Sequence, residues 1–222
     1  MWRFRAHVGS EGIVTMEVPG IENQEIEAAL LQLVTSREGH FQFESGHHGN
    51  LWLDLDALFL KPRSIARIAA TLALRLAKHE VQLVCGPLVG GAFVAQMIAL
   101  EMDIEFCFTE RVVHPSAEDR YPVGYRLPGG FQAGITGKRI AVVDDAINAG
   151  SAVGGTLGAV QSAGAVPVVV AALLDLGESR TIPPTFDGLP LLALVNWPAP
   201  LWLPAECPLC AARVPLDHPG SG

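Results

Sequence analysis

Lysine is scarce in this sequence. The 222 residues include only Lys61, Lys78 and Lys138, and 15 basic side chains face 23 acidic ones for a formal charge of -8. A nucleic-acid backbone requires a basic face, so this balance argues against nucleic acid as the main partner. A small phosphorylated ligand needs only local donors and stays compatible. Cysteine is limited to Cys85, Cys107, Cys207 and Cys210, too few for a disulfide scaffold at this length. Long apolar runs are absent as well. The most apolar stretch, residues 163–174, is too short for a membrane span and contains Pro167. The opening Met1-Trp-Arg-Phe-Arg-Ala-His lacks a signal-peptide core, so a cytoplasmic protein without membrane contact is expected. Neither a Gly-Lys-Ser/Thr phosphate loop nor a G-x-G-x-x-G turn opens a helix, which argues against kinases and dehydrogenases.

What is present is apolar and segmented. Half the residues are hydrophobic and 17% are charged, the balance of a chain that folds around a core. Residues 1–20 have no period and read as a loosely held extension. Ile26, Leu30, Leu31 and Val34 at helical spacing predict a helix over residues 22–36. Two short strands are expected at 41–44 and 51–56 around the polar turn Ser45-Gly-His-His-Gly-Asn50. Pro62 starts a helix to Lys78 whose apolar stripe is Ile65, Ile68, Ala69, Leu72 and Leu76. Strands at 81–85, 104–108, 140–144, 166–174 and 191–195 then alternate with helices at 90–102 and 152–163. Apolar strands without alternation, separated by helices, predict an α/β fold with a doubly wound parallel sheet. Residues 110–137, rich in Pro and Gly, read as a long lid or binding loop, or else as an exposed β-excursion.

One stretch carries chemistry. In Val142-Val-Asp144-Asp145-Ala146-Ile-Asn148-Ala149-Gly150-Ser151-Ala152, an apolar strand ends in two acids, then a turn of small residues, then a helix. Ligands of open α/β sheets bind beyond the carboxyl ends of strands. The turn leaves its backbone N–H groups free to converge on an anion, aided by the helix N-terminus and the Ser151 hydroxyl. The acids can accept hydrogen bonds from a diol. A single Asp would suffice as a helix cap, whereas two adjacent buried acids repel and lose hydration, which points to a ligand or metal.

The acid pair, its length and its strand–turn–helix setting resemble the PRPP-binding signature of type I phosphoribosyltransferases. A wider resemblance, over about residues 22–176, is to the orotate branch of that family. Gly39-His40-Phe41, Ser45-Gly46-His47 and Leu53-Asp54 resemble its hood. Cys85-Gly86-Pro87-Leu88-Val89-Gly90-Gly91 resembles its pyrophosphate loop, and Phe108-Thr-Glu-Arg111 the start of its mobile catalytic loop. The resemblance implies a single domain with a hood at about 20–60, a core at about 62–176 and a C-terminal arm at about 189–222. It implies Mg²⁺-dependent transfer of ribose 5-phosphate from PRPP to a nitrogen base with release of pyrophosphate, orotate to orotidine 5'-phosphate first among the candidates, as in pyrimidine biosynthesis. Asp144 and Asp145 would hold the ribose hydroxyls. Ala146, Asn148, Ala149, Gly150, Ser151 and Ala152 would hold the 5-phosphate side, and Gly86, Pro87 and Gly90 would approach the pyrophosphate. Arg111 and His114 are the candidate catalytic groups of the loop, and a homodimer is implied.

The sequence also departs from that branch. Glu44 stands where the hood has lysine, Gly90 where the pyrophosphate loop has lysine, Val112 where Arg111 would be followed by lysine, Asn148 for a threonine, and Leu176 for an arginine. Arg111, Arg120, Arg126 and His114 are the nearest remaining basic groups. These losses keep a second reading in view, a non-catalytic PRPP-binding or ribose-phosphate-binding regulatory protein on the same fold. Glu44 and Leu176 in a base pocket would favour a neutral or cationic base over an anionic one. Separately, Cys207-Pro-Leu-Cys210 is half of a zinc (Zn²⁺) site, with His218 eight residues on and a second ligand pair conceivable from a dimer partner. His40 reads as structural, and His47 and His48 as an exposed pair, or as a pair touching ligand or each other.

Overall fold

The computed structural model describes residues 23–113, 123–177, 186 and 188–219. The expected extension at 1–20 and the candidates His114 and Arg120 lie outside them. In chain order the elements are α1 (Asn23–Leu31), β1 (Thr35–Gln42), β2 (His48–Asp54), α2 (Pro62–Leu76), β3 (Leu83–Pro87), α3 (Gly90–Met102), β4 (Glu105–Val113), β5 (Val123–Arg126), α4 (Gly129–Ile135), β6 (Arg139–Ile147), α5 (Ser151–Ser162), β7 (Val166–Gly177), β8 (Leu191–Ala199), β9 (Leu201–Trp202) and α6 (Pro208–Ala211).

The main sheet has six strands in the order β5-β4-β3-β6-β7-β8. Every pairing is parallel except the antiparallel hairpin of β4 with β5. Along β6, Ala141 and Val143 join the core layer under α2 and α3, while Ile140 and Val142 join the layer under α4 and α5. Both faces are covered, so neighbouring residues are apolar on both sides and the strand shows no alternation, as the sequence predicts for a doubly wound sheet. In α2 the side chains Ile65, Ile68, Ala69, Leu72 and Leu76 are all buried, and Pro62 occupies the first turn, where its missing N–H costs nothing.

A second, small antiparallel sheet has the order β1-β2-β9. The C-terminal arm therefore completes the hood, since Leu201 and Trp202 pair with Gly49 and His48. Phe43 stacks on Trp52 at 6.1 Å between ring centroids.

Two expectations are corrected. The helix predicted over 22–36 ends at Leu31, and β1 starts at Thr35. Val34 still packs against the core, but from the connection, and the β-branched pair Val34-Thr35 favours extended backbone. In the stretch 110–137 the described residues follow the alternative, a β-excursion, in place of a lid loop. Val123–Arg126 folds back on Glu110–Val113 as a β-ladder, and Gly129–Ile135 is a helix whose Ile135 enters the core.

Candidate active site

The acid pair sits on β6 where that strand loses one neighbour. β3 pairs with β6 only as far as Val142, whereas β7 continues alongside to Ile147. The acids thus lie within a strand that runs on past them, a correction to the expected strand end at Asp144, and they open toward the loop after β3. Asp144 is 7% exposed, and Asp145 is half-buried. The N–H of Asp145 donates to Asp144 Oδ1 at 3.0 Å, and the N–H of Ala146 donates to Asp145 Oδ1 at 2.8 Å. These two bonds do not offset the loss of water. Burial raises the pKa of both carboxyls, and for Asp144 the negative charge of Asp145 raises it further.

The loop after β3 presses against these carboxylates. A Cβ on Gly90 would overlap the Asp145 carboxylate, and one on Gly91 would come within 2.6 Å of Asp144 Oδ1. The Leu88–Val89 peptide is cis. Beyond the acids, Gly150 takes a left-handed conformation (φ 77°) and caps α5, and the N–H of Gly154 donates to its carbonyl at 2.8 Å. Asn148 Oδ1 in this turn is buried and has no hydrogen-bond partner. A buried unpaired polar atom beside two buried acids is the arrangement of a site built for a polar ligand.

The hood closes the other side. Glu44, in the turn between β1 and β2, accepts a hydrogen bond from the Tyr125 hydroxyl at 2.8 Å and pairs with Arg111 Nε at 3.0 Å. Burial and the Glu44 bond push the Tyr125 pKa up, and the charge of Asp144 contributes in the same direction. Glu44, Arg111, Tyr125 and Asp144 therefore form one electrostatic neighbourhood. Tyr125 also lies on α5, where a Cβ on Gly155 would come within 2.5 Å of its ring. Arg126 is engaged elsewhere, by Glu110 at 3.0 Å. Leu176 is 7% exposed and packs in the core layer under α2 and α3. A depression of about 870 Å³ on the flank of the β4–β5 hairpin, bordered by Arg126, Gln132 and Ser162, has none of the acid pair, Asn148 or the Gly90–Gly91 step in its lining, so size alone does not mark the site.

The sequence reading named the acids, the turn and Arg111 but not Tyr125, which the structure sets against Glu44 and α5. The small residue Gly155 on the facing helix was the available signal. His47 and His48 are both buried, against the expected exposed pair, and His47 bonds Ser45 Oγ through Nδ1 at 3.1 Å. His48 meets His40, Cys207 and Cys210 instead, so the cysteine pair gains two histidines of its own chain rather than ligands from a dimer partner, and His218 is not one of that cluster.

No family model matches the chain. Among solved structures it resembles an adenine phosphoribosyltransferase from Thermoanaerobacter pseudethanolicus with a TM-score of 0.62 and 16% identity, covering 77% of this chain and 99% of that one. It also resembles the orotate phosphoribosyltransferase of Mycobacterium tuberculosis H37Rv in complex with inorganic phosphate, with a TM-score of 0.55 and 21% identity over 79% of this chain and 95% of that one. The fold is that of the type I phosphoribosyltransferases. Among curated proteins, the orotate phosphoribosyltransferase of Carboxydothermus hydrogenoformans is 34% identical over 186 residues, 83% of this chain and 90% of the relative. The chain belongs to the orotate phosphoribosyltransferase family and is a pentosyltransferase. Among the described residues no helix is long and apolar enough to cross a membrane.

Proposed function

We propose that this enzyme transfers ribose 5-phosphate from PRPP to orotate in the cytoplasm, giving orotidine 5'-phosphate and pyrophosphate. The observation that carries the reading is the Asp144–Asp145 pair, buried and half-buried, packed against the glycines that open α3 and followed by a turn with an unpaired buried Asn148 Oδ1. Two carboxyls with raised pKa values are costly in the empty fold and are relieved by hydroxyl donors and by a cation. The donor set thus fits Mg²⁺–PRPP. Asp144 and Asp145 would help hold Mg²⁺–PRPP, and the ion would supply positive charge against the leaving pyrophosphate.

In this reading Asp144 and Asp145 accept hydrogen bonds from the ribose hydroxyls and fix the sugar. The backbone N–H groups of residues 149–152 and the Ser151 hydroxyl hold the 5-phosphate. The N–H groups of the Gly86–Gly91 loop, which carries no side-chain cation, approach the pyrophosphate. Displacement at the anomeric carbon builds positive charge on the ring, which the acid pair is placed to stabilise. The reading extends to a homodimer, as the family resemblance implies.

The identity of the base rests on Glu44. An isolated carboxylate there would repel orotate, but Glu44 is paired with Arg111 and capped by Tyr125. Its role is to hold Arg111, a cation on β4, beside the site. Glu44→Ala should change stability by less than about 1 kcal/mol, since the pair is partly exposed. It should raise the KM for PRPP on the order of tenfold, equivalent to about 1.4 kcal/mol. Steady-state kinetics with PRPP as the varied substrate check this, and an unchanged KM would remove Arg111 from the site. The reaction itself is tested by incubating the enzyme with Mg²⁺–PRPP and orotate and identifying the nucleotide by mass. Orotidine 5'-phosphate supports the reading, and orotate left intact while another base is consumed overturns it.

A further inference from the structure

The transfer site leaves one cluster unused. His40, at the end of β1, His48, at the start of β2, and Cys207 and Cys210, on the helical turn α6, bring one ligand atom each to within 4.8 Å of all the others. His40 Nε2 is 3.1 Å from His48 Nδ1, 3.4 Å from Cys207 Sγ and 3.7 Å from Cys210 Sγ, and Cys210 Sγ is 3.3 Å from His48 Nδ1. A tetrahedron with metal–ligand bonds of about 2.0–2.3 Å has edges of about 3.3–3.8 Å. Three of these four separations fall in that range, and the fourth is slightly short of it.

The surroundings point the same way. His40, His48 and Cys207 are each less than 5% exposed, and Cys210 lies at the rim. Buried imidazoles and thiols gathered around one point need a partner for their lone pairs. The second nitrogen of His40, Nδ1, lies 2.8 Å from the Val214 carbonyl, which can only accept, so Nδ1 carries the proton and Nε2 offers its lone pair to the cluster. A carbonyl that fixes the tautomer of a ligating histidine is the usual outer shell of a metal site. The cysteines sit on a tight turn in which the N–H of Ala211 donates to the Cys207 carbonyl at 3.2 Å and that of Arg213 to the Cys210 carbonyl at 2.9 Å, aiming both sulfurs to one side. Two thiolates and two imidazoles with no open position are a closed, structural donor set that suits Zn²⁺.

We propose that His40, His48, Cys207 and Cys210 form a structural Zn²⁺ centre that pins the C-terminal arm to the hood. On binding, each thiol gives its proton to solvent and each sulfur donates a lone pair to the metal, with no redox change. His40 and His48 flank the turn that carries Glu44, four residues from it on either side. The centre therefore clamps the stem of the hairpin whose tip holds Arg111 and Tyr125. Among the described residues the arm also joins the hood through the β2–β9 pairs, the His40–Val214 contact, the backbone bonds of Asp217 with His40 and Gln42, and a long Arg37–Asp217 ion pair.

The test is metal content and a spectroscopic probe on the full chain, with neither PRPP nor orotate present, so it stands apart from the assignment of the reaction. The protein is stripped with a chelator under reducing conditions and titrated with Zn²⁺ and with Co²⁺. One equivalent of Zn²⁺ per chain, a rise in Tm on refilling, and tetrahedral Co²⁺ bands with thiolate charge transfer are expected. Cys210→Ser, a change at the rim that spares the core, should weaken the metal by more than about 100-fold, beyond the usual effect of outer-shell changes. A stripped wild-type protein that stays folded by circular dichroism and takes up no stoichiometric Zn²⁺ would overturn the proposal. So would full retention of the metal by Cys210→Ser.

Discussion

Asp144→Asn and Asp145→Asn should each abolish most of the activity while making the protein more stable. The two carboxyls are held above their ordinary pKa, mainly by burial. Between the ordinary aspartate pKa of about 3.9 and the raised values, the folded state binds more protons than the unfolded chain. Stability contributed by the pair is therefore fully present below the ordinary pKa and lost as pH rises through the raised ones. As pH rises toward neutral the pair therefore costs the ligand-free enzyme stability. An amide keeps the Oδ1 acceptor for the backbone N–H and removes the charge, so each variant should gain about 1–2 kcal/mol at pH 7.5, a Tm increase of several degrees. The gain should shrink toward zero as the pH approaches 4. Affinity for Mg²⁺–PRPP should fall by about 100-fold or more, because charge-assisted bonds to the ribose hydroxyls contribute roughly 1.5–3 kcal/mol each. Thermal scans across pH, paired with calorimetric titration of Mg²⁺–PRPP, measure both halves. Lower stability at pH 7.5 with intact binding would mean that the acids are structural.

The glycines at the end of β3 and the start of α3 should separate folding from chemistry. A Cβ on Gly86 would collide with the backbone of Gly91 and Ala92, which cannot rotate away. Gly86→Ala should cost about 3 kcal/mol or more and show as a large drop in the denaturant midpoint. A Cβ on Gly90 meets a side chain instead, the Asp145 carboxylate. Gly90→Ala should leave the fold nearly intact but displace Asp145, reducing kcat/KM by at least about tenfold. Equal stability loss in both variants would contradict the close approach of this loop to the acids. The same packing accounts for the missing lysine at position 90: any side chain there requires Asp145 to move.

Much of this was legible in the sequence because the signals are local. The unbroken apolar run 140–143 followed by two acids fixes a strand buried on both faces, and Pro62 with its apolar stripe fixes α2. The acid pair announces a site because its burial needs compensation. The hood resisted the same reading. Its strands are short, its first strand begins in the β-branched stretch that extends a helical pattern, and its third strand comes from residues 201–202, far along the chain. Pairings of that kind leave no spacing to read. Glu44 looked like a repulsive charge because its partners, Arg111 and Tyr125, lie 67 and 81 positions away. Likewise, half of the cysteine–histidine cluster was visible as C-x-x-C, while His40 and His48 enter it only through the fold.

The most direct measurement is pyrophosphate release from Mg²⁺–PRPP with a panel of orotate, uracil, adenine, hypoxanthine and xanthine, using the wild-type enzyme beside Asp145→Asn. The account predicts release that depends on orotate and is nearly lost in the variant. Stoichiometric binding of PRPP with no release in the presence of any base would contradict it and identify a ribose-phosphate-binding protein that has kept the site without the transfer.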